Sequence, residues 1–207
     1  MLTVYFWNMA LSEALQPTLQ AFEVALRNGI HHALTIRFGT PRWFDQPGLL
    51  LARERNSLRD ARGRINKQQT APRIVSALSF SFWTGVLNRP YHATLWPAAQ
   101  PRRLLEAFPH LPVRYQSPTP VFRRCNELRQ LRNRVAHAEP VFDRSALAQE
   151  HQDLIEAIGW ISPPLRDIVV LGDRFLPIYH GGQAQNRAAL HAYFAANPYL
   201  TQRNKPW

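Results

Sequence analysis

Apolar residues recur at spacings of three and four through most of this chain, and that period admits α-helices and little else. Leu15, Leu19, Phe22, Leu26, Ile30 and Ala33 form one such series. Residues three and four apart share a side of a helix, so the series is a single buried face. Pro17 is placed as the first-turn proline of that helix, with the preceding residues forming a separate short helix. Gly39 and Pro41 then stop it, since glycine and proline together end helices. Trp43 and Phe44 read as aromatic anchors in the connecting loop.

The same period organises the remainder. Residues 50–69 are strongly charged and read as an exposed basic helix, weakened at Gly63. Thr70-Ala71-Pro72 opens a new helix, and residues 73–87 are apolar on most sides, which predicts one buried helix. A short helix is expected near 101–107. Pro118 and Pro120 open a long one whose apolar positions are Val121, Cys125, Leu128, Leu131 and Val135, ending near His137 before Pro140. Further helices are predicted at about 144–158, 164–175 and 185–195, with breaks at Pro163-Pro164 and Gly181-Gly182 and a tail beyond 197 that frays or docks through Trp207. No strand-rich region or fixed-period repeat is visible. The expected architecture is all-α, a single-domain helical bundle over 1–207.

Composition narrows the class. The chain has 207 residues and is 45% hydrophobic, enough for a real core. No run of eighteen apolar residues occurs, so no membrane span is expected. The start, MLTVYFWNMALSEAL, lacks a basic leader, so no signal peptide is expected. The one cysteine, Cys125, can form no intramolecular disulfide. This suits a cytoplasmic location and leaves no cysteine-rich zinc site. No metal and no cofactor is expected. The formal charge is +11, and only Lys67 and Lys205 are lysines. A GC-rich coding bias favours arginine over lysine but does not explain why only fourteen acidic residues are present. Arginine grips phosphates with a planar fork, so the surplus points to a polyanion, RNA above all.

One segment carries chemistry: Arg132-Asn133-Arg134-Val135-Ala136-His137. A guanidinium can hold a phosphate and an imidazole can move protons near neutral pH. In RNA the 2′-oxygen attacks phosphorus as it loses its proton, and the 5′-oxygen leaves as it gains one. The products are a 2′,3′-cyclic phosphate and a 5′-hydroxyl. On a helix Arg129, Asn133 and His137 form one polar stripe, with Arg132 at its edge. Arg132 and His137 are five positions apart, about 140° around the helix and roughly 7.5 Å along it. They converge only if the helix loosens near Glu139-Pro140 or a second copy supplies the partner. The pattern recurs at Arg27-Asn28-Gly29-Ile30-His31-His32. There Glu23 and Arg27 either form an i,i+4 salt bridge or orient the histidine of the 132–137 segment.

RNRVAH carries the Arg-Asn-x-x-x-His motif of the HEPN superfamily. The ordered segments TVYFWNMALSEAL, FEVALRNGIHHAL, FGTPRWF, SFWTGVL, TLWP and LRQLRNRVAHAEPVF resemble Abi-like (abortive infection) proteins over residues 3–142. Residues 143–197 would be additional C-terminal helices, with 198–207 a tail. The resemblance implies a HEPN-like bundle and a metal-independent endoribonuclease of toxin or antiphage type. It places Arg132 and His137 at the active site and makes Asn133 an orienting group. Glu23, Arg27 and Asn28 become first-helix partners. It also implies a homodimer whose motifs meet across the interface, and an antitoxin or RNA regulator. Ala138 stands where many such sequences have a second histidine, leaving one fewer proton carrier. Glu139 replaces the tyrosine that some HEPN toxins offer for modification. The chain starts close to the first motif, so the N-terminal segment common in these proteins is expected to be absent.

Plainer roles stand beside these. His137 can cap the last carbonyls of its helix. Arg53, Arg55, Arg59, Arg62, Arg64 and Lys67 are either a solvated helix face balanced by Glu54 and Asp60 or a path that guides RNA by its phosphates. Trp83 and Trp96 read as core. His110, His151, His180 and His191 read as surface or satisfied core residues. A non-catalytic RNA-binding or antitoxin-interaction module of the same fold is the alternative function.

Overall fold

Helix α1 spans Leu2–Phe38 without interruption, and Pro17 lies inside it. The expected short leading helix does not exist. The reason is the continuity of the apolar stripe: Leu11, Ala14 and Leu15 before the proline, and Thr18, Leu19 and Phe22 after it, are all buried on the same core. Packing along both halves outweighs the local loss of one backbone hydrogen bond. The structure is a computed structural model describing residues 2–100 and 102–197. The tail with Trp207 lies outside the described residues.

Nine α-helices and no strand occur among the described residues. After α1 come α2 (Ala52–Gly63), α3 (Ala71–Ala77), α4 (Phe80–Gly85), α5 (Arg102–Ala107) and α6 (Pro118–Ala136). The C-terminal part contains α7 (Leu147–Ile161), α8 (Pro163–Gly172) and α9 (Phe175–Ala196). Helix α1 is the spine, against which α4, α5, α6, α7 and α9 pack. Helix α4 also packs on α6. The buried side chains form one apolar cluster running from Leu11 to Phe175. No helix among the described residues is long and apolar enough to cross a membrane.

The predicted single helix over 73–87 is two helices. Leu78 is extended (φ −69°, ψ 136°), and the Ser79 hydroxyl caps α4 by accepting the Phe82 N–H. At the other end of the chain, the predicted break at Gly182 is a kink (φ 54°, ψ −155°) inside one assigned helix.

An aromatic cluster fixes α4 beneath α1. Trp43 lies 6.2 Å from Phe82 and 6.3 Å from Trp83, ring centroid to centroid. The Trp43 indole N–H donates to His31 Nδ1 at 3.1 Å. Trp43, Trp83 and Trp96 are buried, as expected of core residues.

The face of α2 departs from its reading as a solvated stripe. Glu54 turns inward and is buried. Its carboxylate accepts the Tyr91 hydroxyl at 2.7 Å, and that oxygen accepts the Leu51 N–H at 2.8 Å. Burial pushes the Tyr91 phenol up, and Glu54 adds to the shift. Gly85 makes room for this glutamate, because a Cβ there would stand 2.5 Å from Glu54 Oε1. Glu54 therefore does not balance the arginines of α2.

Candidate functional site

The candidate site is built on the last two turns of α6. Its apolar side, Val121, Cys125, Leu128, Leu131 and Val135, is buried, which turns the opposite stripe toward solvent. Cys125 is a core thiol whose burial pushes its pKa up.

Arg132 is held from two sides. Its Nε donates to Glu23 Oε2 of α1 at 2.9 Å. Its guanidinium carbon lies 5.9 Å from the centroid of the Phe80 ring, a cation–π contact with the start of α4. Nη1 makes a long contact to Asn133 Oδ1 at 3.5 Å. The side chain is 35% exposed, so part of the fork faces solvent.

Glu23 thus bonds Arg132 and forms no ion pair with Arg27. Arg27 instead donates to its neighbour Asn28 at 3.4 Å. Within this repeat, His31 is a structural residue: its Nδ1 accepts from Trp43, and burial lowers its pKa, with His32, the histidine of the motif, adding to the effect. Gly29 is also structural, since a Cβ there would meet the Ala107 carbonyl oxygen at 2.6 Å. Of the first-helix residues, Glu23 alone bonds a member of the 132–137 segment.

The helix does not loosen before the histidine. The His137 N–H still donates to the Asn133 carbonyl at 2.9 Å. The chain leaves α6 at Ala138, which has φ +54°. The Ala138 N–H bonds the Val135 carbonyl and the Glu139 N–H bonds the Arg134 carbonyl, at 3.2 and 2.9 Å. This is a Schellman turn with alanine where glycine is usual. Helical geometry therefore keeps Arg132 and His137 about 140° apart around α6 within one protomer.

His137 is exposed, and its ring has no partner among the described residues. It does not cap the helix carbonyls. The turn beyond it is firmly tied. Arg134 donates to the Pro140 carbonyl at 2.8 Å. Asn8 Oδ1 of α1 accepts the N–H groups of Val141 and Phe142 at 2.7 and 3.3 Å. Trp7 stands 6.2 Å from the Phe142 ring. An exposed imidazole thus sits on an ordered corner.

Arg129, on the polar stripe, donates twice to Asn126 Oδ1, at 3.3 and 2.9 Å. Burial lowers its pKa, and the nearby Arg53 guanidinium lowers it further. Farther along α2, Arg62 pairs with Asp45 and Arg64 donates to the Ala77 carbonyl. Among the described residues neither Asp60 nor Lys67 forms an ion pair. Among the described residues no cluster of three or more His, Cys, Asp or Glu side chains is arranged to hold a metal.

Phe80 and Asn8 escape a reading of the sequence. Phe80 is one apolar residue in an apolar segment and gives no signal of its contact with Arg132. Asn8 does give one, as a lone amide among apolar residues near the start of α1. In comparisons with known proteins, no family model, no curated protein and no solved structure matches this chain.

Proposed function

We propose that this chain is a metal-independent endoribonuclease with a HEPN-like bundle and an Abi-like, toxin or antiphage role in the cytoplasm. One observation carries the reading: Arg132 is braced by Glu23 and Phe80 while leaving part of its fork in solvent, and the same helix ends in an exposed, unbonded His137. A cation held in place by its own protein loses little freedom on meeting a phosphate. It also stabilises charge that grows in the transition state.

The reaction requires one proton to leave the 2′-hydroxyl and one to reach the 5′-oxygen. The attacking 2′-oxygen forms its bond to phosphorus as the bond to the 5′-oxygen breaks. Arg132 neutralises the phosphorane-like charge and Asn133 helps orient the phosphate. Since Arg132 and His137 diverge on a regular helix, the active unit is a homodimer in which the imidazole of one copy serves the guanidinium of the other. The two imidazoles then divide the acid and base roles. An antitoxin or RNA regulator restrains the site in the cell.

The divergence of the two side chains within one protomer also favours the alternative, a non-catalytic RNA-binding or antitoxin-interaction module. RNA cleavage in EDTA separates them. Wild type should cut, and His137→Ala and Arg132→Ala should each cut about 10²–10⁴-fold more slowly while still binding RNA and keeping the helical circular-dichroism spectrum. Binding by all three proteins with no cleavage by any would assign the chain to the module.

A further inference from the structure

A cavity of about 360 Å³ opens between the loop that follows α1 and helix α2. Phe44, Leu50 and Leu58 line it with apolar surface, and Arg55, Arg59 and Arg62 with guanidinium groups. Asp45 is the one carboxylate on its wall and is taken up by Arg42 and Arg62. Arg55 donates to the Leu50 carbonyl at 2.8 Å and Arg59 to Asn56 Oδ1 at 3.1 Å. Neither meets a carboxylate among the described residues, and the neighbouring Glu54 is committed to Tyr91 in the core. The wall thus keeps two uncompensated cations beside an apolar floor. Gln46 on the rim is exposed and its amide has no partner among the described residues.

We propose that this cavity is a nucleotide site, in which an unpaired base enters the recess floored by Phe44, Leu50 and Leu58 and its phosphate meets Arg55 and Arg59. The volume lies in the range of small-molecule sites. The mixture suits single-stranded nucleic acid: an apolar recess for the base and a cationic edge for the backbone. Gln46 offers both a donor and an acceptor to a base edge. By contrast, the cavity beside Pro17 has Arg174 on its wall, and that cation is already paired with Glu13.

The proposal rests on the RNA reading above, and its ligand is either a nucleotide within a strand or a free nucleotide. The test uses the full chain, a single-stranded RNA carrying 4-thiouridine at successive positions, and AMP. Crosslinks should map to residues 44–50 and disappear in the Arg55→Ala/Arg59→Ala double variant. Both arginines are exposed, so folding should persist, which circular dichroism checks. The slope of log affinity against log salt should fall by about 1.4, roughly 0.7 per lost phosphate contact. An abasic residue at the crosslinked position should weaken binding by about fivefold or more. Millimolar AMP that removes the 44–50 crosslink shows that the site also accepts free nucleotides. AMP bound there, with no strand crosslink, assigns it to free nucleotides alone. RNA that binds with crosslinks only elsewhere, an unchanged salt slope and no AMP binding overturns the site while leaving the ribonuclease reading intact. No binding of RNA or AMP by wild type overturns both.

Discussion

Arg132 of α6 and Glu23 of α1 meet at 2.9 Å across 109 residues of sequence. The pair is partly exposed on both sides (35% and 23%), so its contribution to stability is small, about 0–1 kcal/mol. Its consequence is geometric: the carboxylate fixes one edge of the guanidinium and leaves the other facing solvent, where the proposed reaction needs it. Glu23→Ala should therefore shift the urea midpoint little but lower the rate of RNA cleavage by about 10–100-fold, as misplacement of a catalytic group does. RNA affinity should stay near wild type. Glu23→Gln keeps an acceptor for Nε and should recover much of the rate. A Glu23→Ala protein that cleaves as fast as wild type would show that the ion pair has no positioning role.

The corner after His137 is built on an alanine in a left-handed conformation, which costs an L-residue about 1–2 kcal/mol. Glycine adopts it without that penalty but loses more entropy on folding. The balance favours glycine, and Ala138→Gly should stabilise the protein by about 0.5–1 kcal/mol. Ala138→Val should destabilise it, because a branched side chain fits this region worse than alanine does. Urea unfolding of the three proteins gives the order directly, and Gly below Ala would contradict the argument.

Gly29 brings α1 within reach of the end of α5. An added Cβ at 2.6 Å from the Ala107 carbonyl oxygen meets backbone, and Ile161 Cγ2 stands at 3.4 Å on another side. Neither helix can yield cheaply, so Gly29→Ala should cost about 1–3 kcal/mol. This separates the two Arg-Asn-x-x-x-His segments experimentally. Gly29→Ala should lower the thermal midpoint, while His137→Ala should leave it unchanged because that exposed ring has no hydrogen-bond or ion-pair partner among the described residues. A tolerated Gly29→Ala would mean that α5 can move away from α1.

The helices are legible in the sequence because burial of an apolar stripe dictates them. The errors fall where a local rule competes with packing. Pro17 reads as a helix start, yet the stripe from Leu11 to Phe22 runs straight through it. Ser79 is one polar residue in an apolar run, and nothing local reveals that it caps a new helix. Glu54 lies in a charged segment and reads as exposed, while its partner Tyr91 is 37 residues away. The site divides in the same way. Arg132, Asn133 and His137 are visible as a spacing, and Glu23 as a nearby acid on the first helix. The Glu23–Arg132 bond, the Phe80 ring and the Asn8 clamp are products of tertiary contact. The arginine-edged cavity is less legible still, since Phe44 and α2 come together only through tertiary packing.

His151 of α7 gives the fold a defined response to acid. Its ring is buried, stacked on Phe175 with centroids 4.3 Å apart, and Nε2 stands 3.0 Å from Asp173 Oδ2. Nδ1 has no hydrogen-bond partner among the described residues. Burial lowers the pKa of this histidine, and Asp173 offsets that only in part. The unfolded chain therefore takes up the proton more readily than the folded one. The stability this contributes is complete above the unfolded value of about 6.5 and declines as pH falls below it toward the lower folded value, by at most about 1.4 kcal/mol per pH unit. The contacts at stake join α7 to the start of α9, so acid should loosen that junction first. His151→Gln does not titrate and should flatten the dependence of the urea midpoint between pH 7 and 5. Wild type that becomes more stable over the same descent would show that the Asp173 carboxylate, and not burial, governs the ring.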